Sequence, residues 1–216
     1  MYGTHHGNED LVEADLGGQI ERSIDLLSAG GVIAIPTDTF YGLAARAFDV
    51  DAVLRVFHVK GRGNDAALPL LLADPEDVSL CVDSFPPMAQ KLAERFWPGA
   101  LTIVLPKAVG VPDVVTGGGP TVALRVPDHL VPRQIARSLG NPITGTSANL
   151  NGVAPARSPE EVARQLGDKI EMVFNGGTLP EALPSTVVDL SFSPPKIVRS
   201  GVISSEELGD VAGTRF

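Results

Sequence analysis

Hydrophobic positions along the chain recur with the spacings typical of amphipathic helices. In residues 19–28, Ile20, Ile24 and Leu27 lie on one helical face, and Gly30 follows as a stop signal. Capping residues, proline and glycine delimit the other helical segments. We predict these further helices at residues 49 or 51 to 60, 87–96, 130–139 and 158–166, with a helical turn at Asp74-Pro75.

Short apolar runs between the helices predict buried strands. The clearest run is residues 31–35, which ends at Pro36, a residue without an N–H for a strand ladder. Others are predicted at residues 70–72, 100–105, 122–126, 143, 172–174, 186–190 and 196–198. Strands and helices alternate without a strict βαβ repeat. We therefore expect an α/β fold with one twisted open mixed sheet and flanking helices.

Length and composition favour a single domain. The chain has 216 residues, 44% of them hydrophobic, and no internal repeat or change in composition. We expect a flexible N-terminal tail at 1–15, a catalytic domain at 16–208 and a C-terminal tail at 209–216. The tail lacks a secretory pattern, and no run of about 18 apolar residues could span a membrane. A single cysteine, Cys81, fits core packing and a cytoplasmic location.

The charge balance counts against a broad nucleic-acid interface. The formal net charge is −9, and the 17 lysines and arginines are scattered rather than grouped in a basic stripe. Small anions need only a few cations that converge locally. The composition is therefore compatible with a phosphorylated or carboxylated small molecule.

Polar side chains cluster where the run 31–35 ends. The segment Pro36-Thr37-Asp38-Thr39-Phe40-Tyr41-Gly42-Leu43 brings two hydroxyls, a carboxylate and a phenol together. Such clusters at strand exits form ligand sites in open α/β sheets. Taken alone, the segment fits an ordinary turn equally well.

Two other clusters have the same ambiguity. Lys60-Gly61-Arg62 closes a predicted helix, where cations also stabilise the helix dipole. Ser147 and Asn149, in the segment 144–149, are two residues apart and would project to one side of an extended stretch. The ordinary alternative for them is backbone capping in a turn.

Taken together and in this order, the motifs resemble the threonylcarbamoyl-AMP synthase family, also called the YrdC-domain family. The resemblance covers roughly residues 20–208. The matching segments are residues 36–43, Lys60-x-Arg62, Trp97-Pro98-Gly99, residues 121–127, 146–152, 184–189 and 197–201. The resemblance implies an open α/β domain with a large concave cleft. The chain resembles the short form, without the additional C-terminal domain that some members carry.

The resemblance also implies a reaction. The family joins L-threonine, bicarbonate and ATP into threonylcarbamoyl-AMP and releases pyrophosphate. A separate tRNA threonylcarbamoyl-transferase complex then modifies the adenosine next to the anticodon. This chemistry needs positioning and neutralisation of phosphate charge rather than a covalent nucleophile.

Family motifs assign roles to individual residues. Lys60 and Arg62 would be catalytic and bind the triphosphate, as a point charge and a bidentate fork. Thr39, Tyr41, Arg125 and Ser185 would bind threonine, although Arg125 could instead be a surface cation that pairs with Asp128. The remaining ATP-binding residues would be Thr121, Ser147, Asn149 and Arg199. Thr37 and Asp38 match the motif without an assigned role.

One loop departs from the family pattern. Residues 63–68 make the segment before Pro69-Leu70 about two residues longer than usual and lack the expected proline and lysine. This predicts a more mobile anion-binding loop. Mg²⁺ would arrive with ATP, because the sequence shows no carboxylate cluster that would hold a metal.

Two alternatives remain open. Proteins of this fold have been suspected of binding double-stranded RNA, so the chain could be an RNA-binding module or make a weak RNA contact. It could also be a paralogue that handles another carbamoyl or acyl acceptor. The motifs indicate that the protein acts on ATP and a carbamate more directly than they indicate which amino acid is the substrate.

Overall fold

Residues 7–181 and 183–216 are described by the computed structural model, with side chains from residue 15 onward. Six helices lie within these residues: α1 (Gly7–Ser28), α2 (Val50–Lys60), α3 (Pro87–Phe96), α4 (Leu130–Leu139), α5 (Pro159–Leu166) and α6 (Ser205–Ala212). The ten strands are β1 (Ile33–Ile35), β2 (Gly42–Ala44), β3 (Leu70–Leu71), β4 (Leu101–Pro106), β5 (Thr121–Arg125), β6 (Ile143–Thr144), β7 (Thr146–Ser147), β8 (Met172–Val173), β9 (Thr186–Asp189) and β10 (Lys196–Arg199).

Local capping signals explain where the helices begin and end. The Asp49 side chain accepts a hydrogen bond from the Ala52 N–H at the start of α2. Ser158 caps α5 in the same way. Gly61 follows α2 in the left-handed conformation, with φ +64°. Short 3-10 helices at Pro75–Leu80 and Asp113–Thr116 complete the helical structure of the described residues, together with a single turn at Gly167–Lys169.

The strands form two mixed sheets rather than the single sheet that we expected. The smaller sheet has the order β7-β2-β1-β8, and the larger has the order β10-β9-β4-β5-β3-β6. Both contain parallel and antiparallel pairs, such as β1 with β8 and β1 with β2. The single-domain α/β class is confirmed, and the sheet is divided in two.

Gly145 lies at the junction between the sheets. The chain leaves the larger sheet at β6 and enters the smaller sheet at β7, with Gly145 between them. A Cβ on Gly145 would lie 2.6 Å from the Leu71 side chain. Glycine lets the chain cross here without displacing the Leu71 side chain. This crossing brings the end of β7 close to the ends of β3 and β5.

Helices cover the sheets on both sides. One buried cluster contains residues of α1 and α4, among them Leu27 and Ile135, packed against β1 and β6. A larger cluster contains residues of α2, α3 and α5 packed against the other face. Cys81 is fully buried in this larger cluster, as expected from its sequence context.

Helix α1 is longer than the helix that we predicted there, and α6 was not predicted. Helix α1 begins at Gly7, twelve residues before the predicted start at residue 19, and α6 extends to Ala212. Part of the predicted tail, residues 1–6, lies outside the described residues. The division into tails at 1–15 and 209–216 and a domain at 16–208 stays a prediction.

Candidate active site

A cavity of about 280 Å³ opens between the two sheets. It is lined mainly by residues from strand ends and loops, which is where ligand sites form in open α/β sheets. The residues that line it are Thr37, Thr39, Phe40, Tyr41, Gly42, Arg62, Ala67, Pro69, Leu71, Thr102, Arg125, Gly145, Thr146, Ser147, Pro155, Pro184, Ser185 and Arg199. Three guanidinium groups therefore surround one cavity in an acidic protein.

The loop between β1 and β2 is fixed by Thr37. Its hydroxyl donates to the Phe40 carbonyl at 2.7 Å and accepts from the Thr39 N–H at 3.1 Å. The hydroxyls of Thr37 and Thr39 lie 3.1 Å apart, and both residues are buried. Thr37 thus shapes the turn that presents Thr39 to the cavity.

Arg125 is held by three partners. Its Nη2 donates to the Asp38 carboxylate at 2.6 Å, its Nη1 donates to the Thr39 hydroxyl at 3.2 Å, and its Nε donates to the Gly99 carbonyl. Both Arg125 and Asp38 are largely shielded from solvent. The alternative of a surface cation paired with Asp128 is wrong, because β5 directs Arg125 toward the turn after β1.

Arg199 and Ser185 form a second polar group in the lining of the cavity. Arg199 Nη2 donates to the Ser185 hydroxyl at 2.8 Å, and Nε donates to the Ser185 carbonyl. The Ser185 hydroxyl also lies 2.9 Å from that of Thr102. Burial lowers the pKa of Arg199, and the charge of nearby Arg125 lowers it further. Two cations held close together favour an anion between them.

Tyr41 lines the cavity, and hydrogen bonds to the backbone fix its position. Its hydroxyl donates to the Gly177 carbonyl at 2.8 Å and accepts from the Gly176 N–H at 3.1 Å. Burial raises the pKa of Tyr41 to about 12. The phenol therefore stays protonated at physiological pH and acts as a fixed hydrogen-bonding group.

Lys60 is buried beneath the Ser147–Asn149 turn. Its ammonium donates to the carbonyl oxygens of Ser147 and Asn149 and to the Asn149 side-chain oxygen. Three acceptors use all three N–H donors. Burial lowers the pKa of Lys60 to about 8, with a smaller effect from Arg62. Lys60 thus lies outside the set of cavity-lining residues.

The amide of Asn149 is also used within the turn. Its Nδ2 donates to the carbonyls of Leu150 and Val153, and its Oδ1 accepts from the Ser147 hydroxyl. Ser147 lines the cavity, whereas Asn149 does not. The two side chains therefore do not act side by side on the cavity.

Arg62 is turned toward the cavity. Its guanidinium lies over the Phe57 ring, 5.3 Å from the ring centroid. Its Nε and Nη2 are buried and have no hydrogen-bond partner among the described residues. Burial lowers the pKa of Arg62, and the charge of Asp65 opposes this effect. A buried guanidinium with unpaired donors is a strong anion-binding group.

The structure thus separates the sequence-predicted residues into two groups. Thr39, Tyr41 and Arg125 line the cavity together with Arg62, Ser147, Ser185 and Arg199. The residues that do not line it are Lys60, Thr121 and Asn149. Thr121 lies at the start of β5, paired with Pro106.

Sequence reasoning missed several cavity residues. Thr102 is a polar residue in the otherwise apolar strand β4, and that break in pattern is a signal that could have identified it. Pro69, Pro155 and Pro184 also line the cavity, where their rigid backbones border it. Pro69 and Pro184 lie in segments that the family pattern includes, whereas nothing in the local sequence of Pro155 distinguishes it from an ordinary loop proline.

Neither a carboxylate cluster nor a membrane-spanning helix is found in the described part of the chain. No group of three histidine, cysteine or acidic side chains there could hold a metal ion. No helix among the described residues is long and apolar enough to cross a membrane.

Comparison with known proteins gives consistent matches. A Sua5/YciO/YrdC family model, described as "Telomere recombination", matches residues 25–201. A threonylcarbamoyl-AMP synthase of Pyrococcus abyssi is 40% identical over 90% of this chain and 57% of its own length. A putative threonylcarbamoyl-AMP synthase of Mycobacterium tuberculosis is 34% identical over 90% of this chain and 89% of its own.

A solved structure supports the same relationship. The crystal structure of Pyrococcus abyssi Sua5 complexed with L-threonine matches with a TM-score of 0.87 and 39% identity. The match covers 91% of this chain and 58% of that one. The chain therefore spans less than two thirds of the Pyrococcus protein.

Proposed function

The chain belongs to the Sua5/YciO/YrdC family, and on that premise we propose that it is an L-threonylcarbamoyladenylate synthase. It would make threonylcarbamoyl-AMP from L-threonine, bicarbonate and ATP for modification of the tRNA adenosine next to the anticodon. The observation that carries the proposal is the cavity that Arg62, Arg125 and Arg199 line together with several hydroxyls. Such a site suits two anionic substrates that must react with each other.

The proposed reaction needs no covalent enzyme intermediate. The threonine amine takes up carbon dioxide from bicarbonate, forming a carbamate and water. A carbamate oxygen then attacks the α-phosphate of ATP, and the bond to the β-phosphate breaks to release pyrophosphate. The enzyme contributes by aligning two anions and offsetting their charge, each of which can lower the barrier by several kcal/mol.

The amino acid would occupy the wall formed by Thr39, Tyr41, Arg125 and Ser185. The Thr39 hydroxyl is oriented by Arg125, and Tyr41 is fixed by two backbone contacts. Asp38 neutralises part of the Arg125 charge, so Arg199 would supply a second cation near the substrate carboxylate or carbamate.

ATP would lie toward Arg62 and Ser147. Unpaired Arg62 donors would bind phosphate oxygens, and Arg199 would lie between the two substrates. Lys60 and Asn149 would act indirectly, because their polar atoms hold the turn that carries Ser147. Thr121 stays a prediction without a cavity contact. Mg²⁺ would be carried by ATP, and we assign it no protein ligand.

The downstream partner would be a tRNA threonylcarbamoyl-transferase complex in the cytoplasm. RNA contact by this chain itself, or a different acyl acceptor, remains the alternative proposal. The scattered cations and the net charge of −9 support the synthase over an RNA-binding module.

Pyrophosphate release is expected to require both L-threonine and bicarbonate. The reason is that the attacking group, a carbamate carboxylate, exists only when both are present. The measurement is pyrophosphate formed from ATP with each component omitted in turn. Equal ATP turnover without threonine would refute the synthase proposal. RNA binding without any turnover would favour the alternative.

Threonine is expected to be preferred over serine by about ten- to a few hundred-fold in kcat/KM, because a missing methyl costs about 1–3 kcal/mol. A larger preference is expected over 2-aminobutyrate, which lacks the hydroxyl, because polar groups of the site would be left unpaired. The assay compares the three amino acids at fixed ATP and bicarbonate. If 2-aminobutyrate matches threonine, the site does not bind the hydroxyl, and the paralogue alternative becomes the better proposal.

A further inference from the structure

The loop at 63–68 rests against a glycine turn that follows the 3-10 helix Asp113–Thr116. This loop joins α2 to β3 and follows Arg62 directly. The Leu68 N–H donates to the Val115 carbonyl at 2.8 Å, and the Leu68 side chain is buried. The far end of the loop is therefore anchored to the segment that contains Val115.

Gly117 makes the closest approach to this loop. A Cβ at Gly117 would lie 2.4 Å from the Asp65 carbonyl oxygen and 3.2 Å from the Ala66 carbonyl carbon. Distances below 3.0 Å cannot be accommodated unless the loop backbone moves. Gly117 also has φ +60°, a conformation that favours glycine. Both the contact and the conformation require the absence of a side chain.

Hydrogen bonds within the turn fix its shape. The Gly118 N–H donates to the Asp113 carbonyl at 2.9 Å. The Thr116 hydroxyl donates to the Gly119 carbonyl at 2.8 Å. The loop therefore lies on a hydrogen-bonded turn, and the greater mobility that the sequence predicts for this loop stays a prediction.

Asp65 connects the glycine turn to Arg62. Its backbone contacts Gly117, and its carboxylate folds back over Gly63, where an added Cβ would lie 2.9 Å from the carboxylate oxygen. The Asp65 charge acts on the Arg62 guanidinium. A displacement of the Asp65 backbone would therefore change the surroundings of Arg62.

We propose that Gly117 is a positioning residue for nucleotide binding, acting through the Asp65 backbone to place the Arg62 guanidinium. In this proposal, the glycine turn after Thr116 holds the longer loop 63–68 in one position. The inference rests on the proposed function, because it treats Arg62 as the phosphate-binding group.

The test compares Gly117→Ala with Gly118→Ala. Both positions have positive φ, +60° and +79°, so both variants share the strain of a side chain there. A Cβ at Gly118 meets no atom within 4 Å, which makes it a matched control. The two readouts are the Kd for ATP by calorimetry and the amide exchange rate of Leu68.

Gly117→Ala is expected to raise the ATP Kd about tenfold, the equivalent of losing one charge-assisted contact, and to speed exchange at Leu68. Gly118→Ala is expected to change the Kd by less than about threefold. Equal effects of the two variants would show that only backbone strain matters, which would overturn the proposal.

A double-mutant cycle tests the route through Arg62. In an Arg62→Ala background, Gly117→Ala should change the ATP Kd by less than about twofold, because the positioned group is already gone. If the two effects multiply in full, Gly117 does not act through Arg62. The KM for threonine should stay within about twofold in every glycine variant.

A second pair of variants serves if Gly117→Ala does not fold. Thr116→Val removes the hydroxyl that closes the turn and should raise the ATP Kd about threefold, whereas Thr116→Ser should restore it. No difference between the two would overturn the proposal. If the unaltered protein binds no ATP, the proposed function is wrong. In that case, anchoring of the loop by Gly117 is supported if Gly117→Ala speeds amide exchange at Leu68 and Gly118→Ala does not. Any other result refutes it.

Discussion

Replacing Lys60 with methionine is expected to reduce both stability and catalysis. The change leaves the Asn149 carbonyl without its buried donor, whereas the Ser147 carbonyl keeps the Asn149 N–H at 3.0 Å. One unpaired buried group costs about 1–3 kcal/mol, and we expect the free energy of unfolding to fall by about that amount. The turn that carries Ser147 would loosen, and kcat/KM for ATP should fall at least about tenfold.

Urea unfolding and steady-state kinetics measure the two effects of this change. Lys91→Met is the matched control, because Lys91 is exposed on α3 and its replacement should shift stability by less than about 0.5 kcal/mol.

Arg62→Ala provides the contrast. It should lower kcat/KM about ten- to a hundred-fold and leave stability nearly unchanged, since its buried donors lack partners. If Lys60→Met lost activity at unchanged stability, Lys60 would act directly on ATP.

The Lys60 ammonium should also impose a pH dependence. Its pKa is lowered to about 8, so the cation is lost as the pH rises through about 8. A neutral amine has two N–H donors for three acceptors, and we expect ATP affinity to fall above that pH. Between about pH 8 and the ordinary lysine pKa of 10.5, the folded state binds fewer protons than the unfolded state, so this group's contribution to stability rises with pH in that range. Lys60→Met should abolish both trends.

Breaking the Arg125–Asp38 ion pair is the other change with a large expected effect. The Arg125 side chain is buried and that of Asp38 is largely shielded from solvent, and the nitrogen and oxygen lie 2.6 Å apart. Arg125→Met would leave the Asp38 carboxylate uncompensated and should lower the free energy of unfolding by about 3–5 kcal/mol. Synthase activity should be lost with it, because Arg125 also orients Thr39.

A double variant separates the ion pair from general damage to the core. Adding Asp38→Asn to Arg125→Met removes the unpaired charge and should recover about 1–3 kcal/mol. Asp113→Asn is the exposed comparison. It breaks the ion pair with Lys107 and should cost less than about 1 kcal/mol, because the Asp113 carboxylate is 83% exposed. If the effects of Arg125→Met and Asp38→Asn on the free energy of unfolding were simply additive, the coupling that we infer between these two residues would be contradicted.

Local signals in the sequence were sufficient for most helices. The bounds of α3 and α4 match the prediction, because proline or glycine marks their ends and the apolar spacing is regular. Helix α6 was missed although Ser204 and Glu207 form a capping box. Strands β2 and β7 were missed because each is stabilised by a distant partner, and two or three residues carry no reliable periodicity.

Seven of the ten site residues assigned from the sequence line the cavity, but the sequence failed to predict how the Lys60 and Arg62 side chains are oriented. Lys60 and Arg62 are two positions apart at a helix end, and we expected both to point into one cleft. Gly61 reverses the backbone between them, with φ +64°. Lys60 therefore stays on the buried face of α2, and Arg62 turns back over Phe57. The direction of a side chain after such a reversal depends on tertiary packing, which local spacing does not encode.

The position of β9 between β10 and β4 in the larger sheet determines the order in which the sheet can assemble. Strand β9 pairs in parallel with β4, which precedes it by about 80 residues, and brings Ser185 to the cavity. During translation, one edge of β4 stays unpaired until β9 has left the ribosome. A growing chain therefore carries an open, aggregation-prone strand edge while the roughly 80 residues between β4 and β9 are synthesised. The cavity is completed only after Ser185 and Arg199 have been synthesised.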